Sequence, residues 1–537
     1  MTAPRWRAGA AETVLGLLDR RADEHPDRPY LIVNGQTLTY GEVRGRAVAA
    51  AGALEHLGVG PGDAVAVFAD TCPEWLDAWF GAALLGAVTV PVNTAFRGEF
   101  LANPLRDSRC RMVLVDDRLA GRLDAVADEL PELETVLVHR TGDGEEVGGR
   151  WRTEDAGVLA EGPPGGPRRP RRPEWRDPSC VLYTSGTTGP SKGAVITQGY
   201  LVAAASTMVS SWQLGEGEVL YAPLPLFHIS MVGSVAGPAV AGGVGVLDAR
   251  FSVRSCWDRV RQHRVHGILL AGVMLNMLWN LPEDDADAEM PLRFISAAPI
   301  PRWLHRPIER RYGVKLLTSY GMTEAFPMTV YGIDDRAVEG ASGRPQPNFE
   351  VVVLDADDRP LPPGEVGEIC CRPTAPNVMF EGYHGRPETT VERWRNLWFH
   401  TGDLGRMDEG GNLTYVDRQK DAMRRRGENI SSFEVEQTLL RHPAVAEAAA
   451  VGVPSELGED DVKVVLALKA SASLGYEELM DFCVERLPYF AVPRYVELVD
   501  QLPVNPTGKV LKTELRAQGV TAATWDRERA GYVLEHR

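Results

Sequence analysis

Apolar positions recur along this chain in two alternating periods. Over residues 12–24 they fall at Val14, Leu15, Leu17 and Leu18 with charges between, a helical spacing stopped by His25-Pro26. Residues 30–33 and 37–40 flank Asn34-Gly35, the signal of a tight hairpin. Residues 41–57 then read as helix, 64–68 as a short apolar strand, 73–85 as helix and 88–92 as strand, and 112–116, 135–139 and 181–183 extend the series. Strands alternating with helices predict a parallel sheet with helices on its faces. Candidate strands resume at 219–222, 244–247, 267–270, 294–296 and 315–319. Past Glu350 the texture turns β-rich at 351–354 and 368–371, with Pro-Pro-Gly at 362–364, which predicts a small barrel or antiparallel sheet. Beyond Asp417, helices at 432–440, 476–485 and 512–517 with strands at 445–453 and 462–469 make a small α+β domain. The fold class is therefore α/β: a large domain over 1–417 and a small one over 418–537, joined at Asp-Arg-Gln-Lys-Asp.

Length and composition agree with that division. A chain of 537 residues exceeds one core, and 44% hydrophobic with 24% charged residues is an ordinary globular balance. A net charge of −17 speaks against nucleic acid or an anionic membrane as partner, while leaving room for a local basic site that holds a nucleotide. Seven scattered cysteines, with no C-x-x-C, read as buried thiols of a reducing cytosol, and Cys370-Cys371 as strand packing. Charges near the N-terminus leave no apolar signal-peptide core, and the longest apolar runs, near 79–92 and 234–247, are short for a membrane span. A cytoplasmic monomer or homodimer is expected. The Pro/Gly/Arg-rich stretch 161–177 reads as a solvated insertion too polar to pack.

The chemistry collects in six places. Residues 183–193 read Tyr-Thr-Ser-Gly-Thr-Thr-Gly-Pro-Ser-Lys-Gly, with glycines that let backbone N–H groups converge on an anion, hydroxyl donors, and one lysine. A Walker A loop would place Gly-Lys after four residues from Gly186, but position 191 is serine. The others are the stretch ending Leu-Phe-His-Ile-Ser at 226–230, Ser296-Ala297-Ala298-Pro299, Thr-Ser-Tyr-Gly-Met-Thr-Glu at 318–324, Phe-His-Thr-Gly-Asp-Leu at 399–404 and Pro-Val-Asn-Pro-Thr-Gly-Lys at 503–509. Several fall where a predicted parallel strand ends, which is where open α/β sheets place ligands. Taken singly, each has an ordinary explanation as a core histidine, a helix cap, a turn or a solvated charge.

Together and in this order they resemble the adenylate-forming family of acyl-CoA synthetases, peptide-synthetase adenylation domains and luciferases, over nearly the whole chain. The resemblance implies ATP and Mg²⁺ as cofactors, a small carboxylic acid as substrate and CoA as co-substrate. It implies that Thr184, Ser185, Gly186, Thr187, Thr188, Gly189 and Lys192 hold the β- and γ-phosphates, that Thr323 contacts the α-phosphate and that Glu324 holds the metal. Tyr320 would stack on adenine, with the backbone of Ala297, Ala298 and Pro299 along its edge. Asp403 would take the ribose hydroxyls, supported by Arg418. Lys509 would be the mobile catalytic lysine, and Lys420 the hinge about which the small domain rotates between two half-reactions. Phe227, His228, Ser296, Ala297, Gly321 and Met322 would line the acid pocket, with His228 opening a path for the second nucleophile.

The sequence departs from that family in places. Arg426 stands where CoA-ligating relatives have the first glycine of Gly-Gly-Glu-Asn, and either blocks a thiol arm, binds a CoA phosphate or points to solvent. Ser296-Ala297 replaces Gly-Gly, which implies a compact acid, aryl or short acyl. Gln198 replaces a common histidine. The aspartate that amino-acid-activating relatives use is missing near His228, and no carrier domain follows, so peptide assembly is not expected. The expected function is acid–CoA ligation through an acyl-adenylate. The alternative is an adenylating enzyme with another second reactant: an amide synthetase, or a nitrite-activating diazotase acting on an aryl amine. A nucleotide-binding regulator would have lost catalytic groups, yet Glu324, Asp403, Arg418 and Lys509 are all present.

Overall fold

The computed structural model describes residues 12–532 and 534, apart from 143, 145, 149, 185–190, 337, 426–427, 456–459 and 505–508, with backbone alone at 285, 286, 424, 428 and 429. The chain forms two compact units. One comprises residues 1–351, 371–399 and 411–413, and the other residues 352–370, 400–410 and 414–537.

The first unit holds two sheets. The seven-stranded sheet runs Arg152–Asp155, Thr135–His139, Met112–Asp116, Ala64–Phe68, Val88–Pro91, Pro178–Thr184, Lys192–Thr197 in spatial order. All its pairs are parallel except the last. The nine-stranded sheet is parallel from Lys315–Met322 across to Pro29–Val33, with antiparallel strands at both edges. These strands carry the apolar runs of the sequence, and Val65, Ala66, Val67 and Phe68 are fully buried, as strands covered on both faces must be. At the hairpin Pro29–Val33/Gln36–Thr39, Asn34 and Gly35 both take positive φ, 51° and 86°, the turn their identities predict.

The second unit contains a four-stranded sheet in the order Val445–Pro454, Asp460–Leu468, Tyr495–Val499, Trp525–Asp526. Ser432–Leu439 and Tyr476–Val484 pack their Val435, Leu439, Leu479 and Met480 against its Val462, Val464 and Leu466. The β-rich region past 350 forms a five-stranded sheet. No described helix is long and apolar enough to cross a membrane.

Two expectations need correction. The strands at 294–296 and 315–319 are longer than their apolar runs, reaching Ala298 and Met322, because neighbouring strands continue the hydrogen-bond ladder past the apolar residues. The stretch 161–177 is solvated at its five arginines but is not wholly unpacked. Pro167 is buried, and the backbone N–H of Arg171 donates to the Leu84 carbonyl at 2.7 Å. All seven cysteines are buried and unpaired with one another.

Candidate active site

The stretch 183–193 does not join a strand to a helix. Its described ends lie on two antiparallel strands in which Thr184 and Lys192 are cross-strand partners. Ser185, Gly186, Thr187, Thr188 and Gly189 lie outside the described residues. The stem beneath them is tightly fitted: a Cβ on Gly193 would come within 2.5 Å of Val181 and 3.0 Å of the Tyr183 ring, so only glycine fits. Helix Glu99–Asp107 braces both strands from one face, its Asn103 and Asp107 standing four residues apart. Asn103 Nδ2 donates to the Ser191 carbonyl and hydroxyl at 3.0 Å each, and Asp107 accepts from the Tyr183 hydroxyl at 2.8 Å. Asp107 also pairs with Arg386 at 3.2 Å.

Thr323 and Glu324 occupy a hairpin tip, a two-residue turn between Lys315–Met322 and Ala325–Tyr331. Gly321 sits where the register shifts, and a Cβ there would meet the Ala325 carbonyl and the Phe326 ring at 2.8 Å. Glu324 is buried, Tyr320 is 8% exposed and Thr323 is half-buried. The buried Tyr200 hydroxyl donates to the Thr323 carbonyl at 3.1 Å.

Residues 380–384 join the two strand pairs. The His384 N–H donates to the Gly193 carbonyl at 2.7 Å, and the Phe380 N–H to the Glu324 carbonyl at 2.9 Å. Tyr383 donates its hydroxyl to Glu324 Oε1 at 2.6 Å, and Lys192 Nζ lies 5.6 Å from the centre of the same ring. Burial, then the Glu324 charge, pushes the Tyr383 phenol well above its ordinary range, so it stays a donor. Desolvation, then the Arg393 guanidinium, lowers Lys192, while Glu324 opposes that shift. A cation, an aromatic hydroxyl and a buried carboxylate thus stand in one connected row. Replacing Tyr383 with phenylalanine is expected to slow adenylation at least about 10-fold, since a hydrogen bond to a charged group contributes ~1.5–3 kcal/mol. Initial rates of pyrophosphate release, with circular dichroism to verify the fold, check this.

The acid-pocket candidates do not all share one surface. Phe227 is half-buried and His228 exposed, with His228 Nδ1 accepting from the Ser230 N–H at 3.4 Å. Gly321 and Met322 are half-buried. Ser296 and Ala297 are adjacent on one strand, so they point to opposite faces. Ala297 belongs to the apolar cluster of Trp257, Leu275, Ile295 and Tyr312, whereas Phe294, two residues before Ser296, packs with Trp212 and Leu317 on the other side. The expectation that both side chains narrow one pocket is therefore corrected: at most one of the two can face it. Ala298 and Pro299 are exposed.

The second unit holds the remaining candidates. Asp403 is buried, its Oδ1 3.6 Å from Arg418 Nε, and its N–H donates to the Thr401 hydroxyl at 3.1 Å. Arg418 opens a turn in which Asp421 and Ala422 donate to its carbonyl, and Asp421 pairs with Arg516 at 2.7 Å. Lys420 on this turn is exposed, and desolvation lowers its ammonium. Lys509 is open to solvent by surface area yet crowded on its flanks. Desolvation first, then Arg418, pushes its ammonium down to about 8, against the pull of Asp403 and Asp421. In the run Arg424-Arg425-Arg426, Arg425 is buried, pairing with Asp461 at 2.9 Å and donating to the Phe490 and Val492 carbonyls, while Arg426 lies outside the described residues.

Residues 18–384 match the AMP-binding enzyme family and residues 434–509 its C-terminal domain. The crotonobetaine/carnitine–CoA ligase of Citrobacter koseri is 32% identical over 488 residues, covering 86% of this chain and 89% of that protein. The anthranilate CoA ligase AuaEII, solved with anthranoyl-AMP, shares the fold with a TM-score of 0.85 at 24% identity, covering 94% of this chain and 97% of its own. The o-succinylbenzoate coenzyme A synthetase MenE of Bacillus subtilis, solved with ATP and a magnesium ion, has a TM-score of 0.79 at 28% identity over 93% of this chain and 98% of its own.

Proposed function

This chain belongs to the AMP-binding enzyme family and is an adenylate-forming ligase, and we propose that it ligates a compact acid, aryl or short acyl, to CoA. The observation that carries the adenylating step of this reading is the row Lys192–Tyr383–Glu324, which sets a buried carboxylate and a cation against one tyrosine. A polyphosphate with a hard divalent ion asks for that pair.

In the first half-reaction a carboxylate oxygen of the acid attacks the α-phosphorus of ATP. The bond to the β-phosphate bridge breaks and pyrophosphate leaves with its electron pair. Charge spreads over phosphate oxygens, so positioned donors dominate catalysis. Thr184 and Lys192, with 185–189 between them, would hold the β- and γ-phosphates, and Thr323 the α-phosphate. Tyr320 and the 297–299 backbone would hold adenine, and Asp403 and Arg418 the ribose. Lys509 would draw the incoming carboxylate and the α-phosphate together. Glu324 fits Mg²⁺: it is a buried carboxylate with Tyr383 fixing one oxygen, the hard donor this ion takes. When bound, Mg²⁺ would neutralise phosphate charge. In the second half-reaction the CoA thiol loses its proton to solvent as its sulfur bonds to the acyl carbon, the bond from that carbon to the phosphate oxygen breaks, and AMP leaves with the electron pair. Lys420 would be the hinge between the two steps, with the small domain beginning near 418, and His228 would gate the thiol's path.

The name of the Citrobacter koseri relative and those of the solved relatives support CoA as acceptor. The compact acid rests on Ser296. A pyrophosphate-release screen over aryl, short-chain and long-chain acids tests it, and preference for a long chain would sink the reading. Ser296→Gly is expected to raise kcat/KM for a bulkier acid by roughly 10-fold, since one methylene in a pocket is worth about 1–3 kcal/mol. Ala297→Gly, on the opposite face, leaves acid preference unchanged.

A further inference from the structure

One cluster lies outside this chemistry. Glu368 and Cys370 stand two apart on strand Gly367–Pro373 and so share a face, and His400 stands on the neighbouring strand Trp398–Met407. His400 Nδ1 lies 2.8 Å from Glu368 Oε2 and 3.3 Å from Cys370 Sγ, and the three donor atoms all fall within 4.8 Å of one another. On the far side of the ring, Asp358 Oδ1 is 3.6 Å from Nε2. The cluster is largely buried, with Glu368 reaching solvent: Cys370 is fully buried, and the side chains of His400 and Glu368 are 4% and 12% exposed.

We propose that Glu368, Cys370 and His400 bind one thiophilic divalent cation of the Zn²⁺ class, with Asp358 orienting the histidine. A thiolate, an imidazole and a carboxylate converging on one point match the donors zinc takes, and the soft sulfur selects it over Mg²⁺. The cation takes the place of the hydrogen between Nδ1 and Glu368, which passes to Nε2 on the Asp358 side, and the Cys370 thiol proton leaves to solvent, so binding strengthens as pH rises. Asp358, 3.6 Å from the other ring nitrogen, would close on it as the carboxylate that fixes a ligating histidine. The remaining coordination position goes to water. Cys371, next in sequence, faces the other way and takes no part.

The cation would clip together two strands next to Asp403, because Glu368 Oε1 also accepts the Gly402 N–H at 2.9 Å. The site does not depend on the ligase reading, and its failure leaves that reading intact. The test uses the full chain, stripped with a chelator and titrated with Co²⁺ in Mg²⁺ buffer. A single equivalent is expected to bind with a thiolate-to-cobalt charge-transfer band, which Zn²⁺ bleaches by displacement. Cys370→Ser loses the band and Cys371→Ser keeps it. Asp358→Asn keeps the band but weakens affinity roughly 10- to 100-fold, the usual effect of removing such a partner. No band in the unmodified chain, or a band that survives Cys370→Ser, overturns the site. Unchanged affinity in Asp358→Asn overturns the role of Asp358.

Discussion

Lys509→Ala is expected to stop adenylation while ATP still binds. The proposed role is that of a point charge on a flexible stem, drawing an anionic carboxylate towards an anionic α-phosphate. No other residue in the account is assigned that task, and losing one positioned donor to developing charge costs on the order of 10²–10³ in rate. Binding survives because the phosphates, adenine and ribose are assigned to other residues. The charge also sets a pH dependence. With its ammonium pushed down to about 8 from an ordinary 10.5, Lys509 is cationic at neutral pH, and adenylation falls as pH rises through about 8. The stability effect has the opposite sense. A lysine whose folded value is depressed opposes folding wherever it is charged in the fold, below about 8, and this penalty fades as pH climbs to its ordinary value. Lys509→Ala therefore keeps or raises the melting temperature at neutral pH, which separates lost chemistry from lost fold. Pyrophosphate release near the unmodified rate in this variant would contradict the assignment.

Glu324→Gln is expected to lower adenylation by a comparable order, about 10²–10³, and to raise the Mg²⁺ concentration needed for half-maximal rate. The amide keeps the shape and an acceptor for the Tyr383 hydroxyl, but removes the charge a hard cation requires. Glu324→Ala does more: it leaves the buried Tyr383 hydroxyl without its carboxylate partner, at a cost of about 1–3 kcal/mol in stability. A Mg²⁺ titration of the rate, with thermal melts of both variants, distinguishes metal binding from packing. An unchanged Mg²⁺ requirement in Glu324→Gln would remove Glu324 as the metal ligand.

Most parallel strands, and the helices Val14–Glu24, Tyr40–His56, Pro73–Leu85, Ser432–Leu439, Tyr476–Val484 and Lys512–Gln518, were legible because their apolar periodicity is local, whereas others such as Gln198–Trp212 were not read. The antiparallel pairs at 184–192 and 322–325 were not legible. Lys192–Thr197 begins with Lys-Gly-Ala, which has little strand character alone, and it forms because it pairs with Pro178–Thr184. Tyr383 was missed as well. Its link to Glu324 spans 59 positions of sequence, and only the fold brings a tyrosine in a glycine-flanked turn to that carboxylate. Asn103 and Asp107 left one faint signal, a four-residue spacing on a helix, with no indication of what they brace. Conversely, Ser296-Ala297 was over-read, since the two-residue period of a strand separates the side chains whatever their chemistry. The arginine run at 424–426 looked uniform, yet Arg425 is a buried structural cation held by Asp461.

In the proposed function one chain makes an acyl-adenylate and passes it to CoA. The most direct test supplies enzyme, Mg-ATP and one accepted acid, with and without CoA, and follows pyrophosphate, AMP and thioester together. Without CoA, a burst of pyrophosphate equal to the enzyme and then little more is expected, and with CoA steady turnover with matched AMP and acyl-CoA. Sustained AMP release without CoA, and no thioester in its presence, would contradict the proposed function.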